Sequence, residues 1–364
     1  MRAKNTIGRP YRLHGGAPAV RRHRGRIQLA VEAAERIGIV RALRPLHDRR
    51  NASLTVLAYH RVMPADALET YPFDPELISA TPAQFAWQME YIRRTLNPVS
   101  LEQVLAHLDG KAALPPRALA VTFDDGFADT YRYAFPILKR FSIPATIFVT
   151  TGNVDSGEPF WFELAAYLIY RVEPHALEVE AGGQRFPSGP TPRERTQSLR
   201  ALHDILKSVP NAQRLALLSG WARRFAPQIE HGAVGHGVPI SWAEVREMAA
   251  AGIAFGSHSV SHPNLTQLAD AELDWELLES KRTIEEKLQR GASTLAYPIG
   301  NRAAFDERVI GAARRAGYRL GVSYLPGANA LATLDRFELH RHGIGLGTSE
   351  RYFRALTSLC AWIG

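Results

Sequence analysis

From residue 53 onward, short apolar runs alternate with amphipathic helical stretches, and that rhythm restricts the chain to a parallel sheet covered by helices. The runs predict strands over Ser53–His60, Ala118–Phe123, Ala145–Thr150, Ile253–Ser257, Thr294–Tyr297, Tyr318–Ser323 and Phe337–Arg341. Thr81-Pro82-Ala83-Gln84 and Ser241-Trp242-Ala243-Glu244 are capping boxes that open helices. Leu273, Leu277, Ile284 and Leu288 mark one face of a helix over about Ala271 to Arg290. Further helices are expected at about Tyr133 to Phe141, Asp306 to Ala316 and Glu350 to Trp362, with residues 63–80 as a loop. Six or seven strand–helix units favour a closed barrel over an open sheet. Residues 160–240 break the rhythm with helical stretches at about 160–170 and 193–225. They predict an insertion, either a cap over the site or two crossover helices joined by a long loop.

Charge divides the chain unevenly. Residues 1–50 hold thirteen Lys/Arg and three Asp/Glu, while the rest holds 31 basic and 33 acidic residues. The formal charge of +8 therefore belongs to an arm, with an amphipathic helix expected at about Arg26 to Leu46. Residues 51–364 form the body. A nucleic-acid partner is set aside, because no binding motif accompanies the basic residues. Anionic lipid head groups are the partner that such an arm suits. No stretch is long and apolar enough to span a bilayer. The best signal-peptide candidate, Ile27 to Val40, is broken by Glu32, Glu35 and Arg36. The expectation is a cytoplasmic protein, peripheral at the inner membrane face. Cys360 is the only cysteine, so no intrachain disulfide can form.

Three groups of polar residues fall at predicted strand ends, where parallel α/β folds place their chemistry: Asp124-Asp125, His258 and Tyr297-Pro298. Two adjacent carboxylates after a buried strand need a compensating charge, unless they serve as a helix cap and solvated turn. His258 and His262 stand four apart and could share one face of a helical turn to bind a metal. Asp125, His258 and His262 together offer two nitrogens and one oxygen. That set suits Zn²⁺ and water activation, and also non-haem iron. Asp124, a second carboxylate beside it, favours hydrolysis with a general base.

These residues resemble a known family. Thr122-Phe123-Asp124-Asp125-Gly126 followed by His258-Ser259-Val260-Ser261-His262 is similar to the signature of the polysaccharide deacetylases, the NodB-homology group (family 4) of carbohydrate esterases. Tyr59-His60-Arg61-Val62 looks like the bacterial exopolysaccharide branch. The resemblance implies an α/β fold, a distorted (β/α)7 barrel, and removal of N-acetyl groups from an amino-sugar in a polysaccharide, glycan or lipid-linked intermediate. It implies one divalent metal ion, Zn foremost with Co, Ni, Mn or Fe as alternatives, held by Asp125, His258 and His262. Asp124 would be the catalytic base, and Ser259 would tie the histidine loop to its neighbours. Tyr297-Pro298-Ile299-Gly300 would form the third motif, with the Ile299 N–H facing the oxyanion. Ala296 replaces the arginine that braces the base in the family, and Arg61, Arg302 and Arg341 are the candidates to replace it. The general acid is expected at His342, with His340 and Arg341 beside it, and His60 as a residue lining the site. The alternatives are a related hydrolase of cyclic amides and a barrel that binds glycan without catalysis.

Overall fold

The computed structural model describes residues 20–40, 42, 53–71, 74–171, 178–181, 184–187, 191–232 and 237–358. Residues 1–19 of the basic arm and Cys360 lie outside them. Nine strands form the main sheet: β1 (Ser53–Tyr59), β2 (Asn97–Pro98), β3 (Ala118–Phe123), β4 (Ala145–Val149), β5 (Ala254–Ser257), β6 (Thr294–Ala296), β7 (Leu320–Val322), β8 (Asn329–Ala330) and β9 (His342–Gly343). Parallel pairing runs β7-β6-β5-β4-β3-β1. Leu339 bridges Val322 on one edge, and β9 pairs with β1 on the other through Leu57 and His342. Residues 339–343 thus join the two edges as a seventh parallel segment. The expected Phe337–Arg341 strand is replaced by this bridge and the two-residue β9.

Hydrophobic burial explains why these runs become strands. Every residue of β3 and β4 is buried, as expected when helices cover one face and barrel side chains the other. Capping boxes at Thr81, Ser100, Thr191 and Ser241 open α2 (Pro82–Thr95), α3 (Leu101–Leu108), α6 (Pro192–Ser208) and α8 (Trp242–Ala250). The segment expected as one helix over 193–225 is two, α6 and α7 (Asn211–Gly232), parted at Val209-Pro210. Proline fits the start of a helix but not its middle. Ahead of them α5 (Trp161–Arg171) and a β-hairpin, Glu178–Ala181 with Gln184–Pro187, complete the interruption. The 63–80 loop contains a short helix, a 3₁₀ turn at Pro75–Leu77 and a strand at Ile78–Ala80.

The N-terminal helix α1 spans Val20–Arg36 and Gly38 (φ 82°) follows its end, while residues 43–46 of the expected helix lie outside the described residues. Gln28 Nε2 donates to Gly347 O (3.2 Å) and Ser349 Oγ donates to Glu32 Oε1 (2.6 Å), so α1 docks against the segment before α11 (Glu350–Ser358). The helix expected at about Tyr133 to Phe141 is α4 (Phe135–Phe141), and between α8 and α11 lie α9 (Asp270–Leu288) and α10 (Glu307–Arg315). Among the described residues, no helix is long and apolar enough to cross a membrane.

Candidate active site

The C-terminal ends of β3, β5 and β6 converge on one buried cluster. Beyond β3 the chain turns sharply, with Asp125 at φ 72° and Gly126 at φ 87°. A Cβ on Gly126 would lie 2.9 Å from Val149 Cγ1, so glycine is required twice over, by dihedral and by space. Strain at Asp125 is the kind stored at functional sites. The backbone is pinned by Asp124 N–H to Tyr59 O (2.9 Å) and Thr150 N–H to Asp125 O (3.1 Å).

His258 and His262 do not share a helical turn. They sit in an irregular loop in which Ser259 (φ 66°) and His262 (φ 54°) are left-handed. Side chains take the place of helical hydrogen bonds. Ser259 Oγ accepts from the His262 N–H (3.0 Å), a bond within the loop itself. Buried Glu276 on α9 accepts from the Val260 and Ser261 N–H groups (2.7 and 3.0 Å). Trp161 Nε1 and Arg214 donate to His262 O (3.0 and 2.9 Å), so the 160–232 stretch clamps the histidine loop. Nothing in the sequence pattern marked Glu276, Trp161 or Arg214 for this work.

This bracing brings His258 Nε2 and His262 Nε2 to 3.5 and 3.4 Å from Asp125 Oδ1. The three ligand atoms lie within 4.8 Å of one another, and all three residues are buried. His258 Nδ1 is 2.8 Å from Ala296 O, which fixes the proton on Nδ1 and leaves the Nε2 lone pair facing Asp125. Asp125 Oδ1 has no hydrogen-bond donor. Burial, and then the charge of Asp124, push its carboxyl well above the usual range. Burial, with the neighbouring His258 and Arg214 charges, pushes His262 well below its ordinary value. A buried acceptor without a donor, facing two neutral imidazole nitrogens, fits a divalent cation.

Asp124 is treated differently. Arg341 grips it with two parallel bonds, 2.7 Å to Oδ1 and 2.8 Å to Oδ2, and anchors itself on Ser323 O (2.7 Å) and Thr122 Oγ1 (3.1 Å). Burial raises the Asp124 carboxyl, but Arg341, helped by His258, overrides it and holds the group at about 2. Arg341 thus occupies the role left vacant by Ala296. Arg61 instead pairs with Asp129 (2.6 Å) and Tyr71 (2.5 Å), and exposed Arg302 pairs with Glu338.

Because successive side chains of an extended segment alternate, Arg341 pointing inward turns its neighbours outward. His342 and His340 therefore do not reach the site, contrary to expectation. His340 Nε2 meets Glu338 Oε1 (3.3 Å), and neither histidine lines the cavity above the cluster. His60 does. Its Nε2 stands 4.0 Å from Asp125 Oδ2, its ring rests against Tyr324, and burial pushes it down to about 4.

The cavity measures about 350 Å³, within the range of small-ligand sites. Asp124, Asp125, His258 and His262 line it, as do Tyr297 and Ile299. Tyr297 is fixed by its hydroxyl on Phe337 O (2.9 Å) and by stacking on Phe305. Pro298 O accepts from the Gly300 N–H (2.7 Å), making a tight turn with Ile299 at φ 66°. Trp161, Phe162, His203 and Lys207 add a wall from 160–232, and Asp74, Glu76 and Leu77 another.

A parallel barrel with an Asp-His-His cluster and a separately braced carboxylate at its strand ends defines a hydrolase frame. Comparison with known proteins gives the family. The polysaccharide deacetylase model matches residues 111–321, more than half of the chain. The protein belongs to the polysaccharide deacetylases, hydrolases of N-acetyl amide bonds. It is 23% identical over 304 residues to the Bacillus subtilis (strain 168) protein YxkH, assigned by name to the polysaccharide deacetylases, covering 84% of this chain and 76% of that one. It is 31% identical over 113 residues to the poly-beta-1,6-N-acetyl-D-glucosamine N-deacetylase of Staphylococcus aureus (strain MSSA476), covering 29% and 38% of the two chains. Its fold is similar to the Streptococcus pyogenes deacetylase PplD in complex with acetate, with a TM-score of 0.55 at 20% identity over 84% of this chain and 97% of that one.

Proposed function

We propose that the protein removes N-acetyl groups from an amino-sugar within a glycan or lipid-linked sugar, with one divalent metal ion, Zn²⁺ foremost. The observation that carries this reading is the division of labour between adjacent carboxylates. Asp124 is held ionised by Arg341, while Asp125 faces two imidazole nitrogens with an unpartnered oxygen. A cation held by Asp125, His258 and His262 would supply Lewis acidity toward the amide carbonyl and acidify a water. Asp124 is placed to take the proton from the attacking water as it adds to the acetyl carbon. Arg341 keeps Asp124 in its basic form and fixes its direction. The Ile299 N–H, at the tight turn beside the cavity, donates to the developing oxyanion. His60 takes over the role first expected of His342 and relays the proton to the leaving amine. The proton it passes on is the one that Asp124 took from the water. Acetate and the free amino-sugar leave.

The basic residues of 1–50 suit an anionic membrane surface, where a lipid-linked sugar would be found. The test of the reaction is acetate release and bound metal, measured for the wild type and Asp124→Ala. Retained metal with lost acetate release supports the scheme. Full activity in Asp124→Ala would refute it.

A further inference from the structure

We propose that Asp74 and Lys207 form a hydroxyl-binding subsite in the catalytic cavity, one that selects a neutral sugar over a sugar carrying phosphate, carboxylate or ammonium at that position. This rests on reading the cavity as a glycan site. Lys207 lies in the last turn of α6 and Asp74 caps the Pro75–Leu77 turn, so the two reach the cavity from different segments. The Lys207 amine is half-buried and has no hydrogen bond or ion pair among the described residues. Asp74 Oδ1 accepts from the Glu76 N–H (2.9 Å), and Oδ2 has no hydrogen-bond partner among the described residues.

Asp204 and then Asp74 act on the Lys207 ammonium, and Glu76, Arg200 and then Lys207 on the Asp74 carboxylate, yet neither group has an ion-pair partner within 4.0 Å among the described residues. Burial pushes the Asp74 carboxyl up to about 6 and draws the Lys207 amine down, so both are short of solvation. Of the other carboxylates of the cavity, Asp125 faces the two histidines of the cluster and the remaining two are paired. Glu76 is paired with Arg200 (2.5 Å) and Asp124 with Arg341.

An ammonium and a carboxylate that both line the cavity suit a ligand that accepts from one and donates to the other. A sugar hydroxyl does both. A phosphate or carboxylate would be repelled by Asp74, and an ammonium by Lys207. Trp161, Phe162 and Tyr324, which also line the cavity, offer apolar faces for the ring. The same pair would disfavour a neighbouring residue that has already been deacetylated, because that sugar carries an ammonium.

The test uses full-length, Zn²⁺-loaded protein and three oligosaccharides of N-acetylglucosamine: neutral, 6-phosphorylated and partly deacetylated. Acetate release and calorimetric binding are both measured, the latter also on Asp124→Asn. The wild type should prefer the neutral oligosaccharide. Asp74→Asn and Lys207→Met should each raise KM on it roughly ten- to hundredfold, the range of a hydrogen bond to a charged group, with kcat little changed. The charge preference should cross over: Asp74→Asn gains on the phosphorylated ligand, and Lys207→Met gains on the deacetylated one. Equal effects of both variants on all three ligands, or none, would overturn the subsite. Crossover in binding without acetate release from any substrate would leave the subsite standing and refute the deacetylase reading alone.

Discussion

Arg341→Met tests the brace directly. The guanidinium is fully buried, and its two bonds to Asp124 are 2.7 and 2.8 Å long. Removing it strands a buried carboxylate, a change that costs about 3–5 kcal/mol of stability when the charge cannot be satisfied otherwise. Asp124 has a second way out, which is to take up a proton. Loss of an adjacent opposite charge raises a carboxylate by about 1–3 pH units, starting from about 2 in the wild type. The sign is fixed. A carboxyl depressed in the folded state adds stability above its unfolded value near 3.9, and that stability is lost as pH falls toward 2. In Arg341→Met the contribution shrinks, and the acid limb of kcat/KM moves upward. Metal ligands protonate in both proteins, so the difference between the two profiles is what is read. At pH 7 most of Asp124 remains ionised, so the loss there reflects misdirection of the base, about 10²-fold for a displacement near 1 Å. Asp124→Asn/Arg341→Met should recover stability relative to Arg341→Met while remaining inactive, a non-additivity expected of residues in contact. The assays are acetate release across pH and thermal unfolding. Wild-type kcat/KM and an unmoved acid limb in Arg341→Met would refute the brace.

Three further outcomes are expected. His60→Gln should lower kcat by about 10²–10⁴-fold with metal content retained, whereas His342→Gln should stay near wild type; the reverse order, read by acetate release, would return the proton relay to His342. Zn²⁺ at 100 times its dissociation constant should stabilise the wild type by about 2.7 kcal/mol, and His262→Gln should lose that increment in melting experiments; equal stabilisation of both proteins would remove His262 from the ligand set. Deleting residues 1–19 takes away four Lys/Arg, each worth about 1 kcal/mol near an anionic surface, so partitioning onto phosphatidylserine vesicles should fall on the order of a hundredfold or more; unchanged partitioning would rule out lipid docking by this segment.

The strands were legible because each is an apolar run bounded by polar residues, and the capping boxes at Thr81 and Ser241 announced their helices. The box at Ser100 and Gln103 is as plain a signal but follows a strand of only two residues, and Pro210 divides α6 from α7 within one continuous helical pattern. The spacing of His258 and His262 suits a helical turn and a loop equally. What decides between them is Glu276, which satisfies the loop amides from another helix and so carries no local signature. Arg341 could be named only as one of three arginines, because the bond to Asp124 spans 217 positions and exists only once the last strand segment closes the barrel. The misplaced general acid follows from the same fact. Side chains alternate along a strand segment, so with Arg341 in the inward position His340 and His342 are turned away. Arg341 therefore keeps both histidines out of the cavity, and the proposed proton relay is sought at another strand end. His60 lies at the end of β1 and lines the cavity, which is why the reassignment falls there.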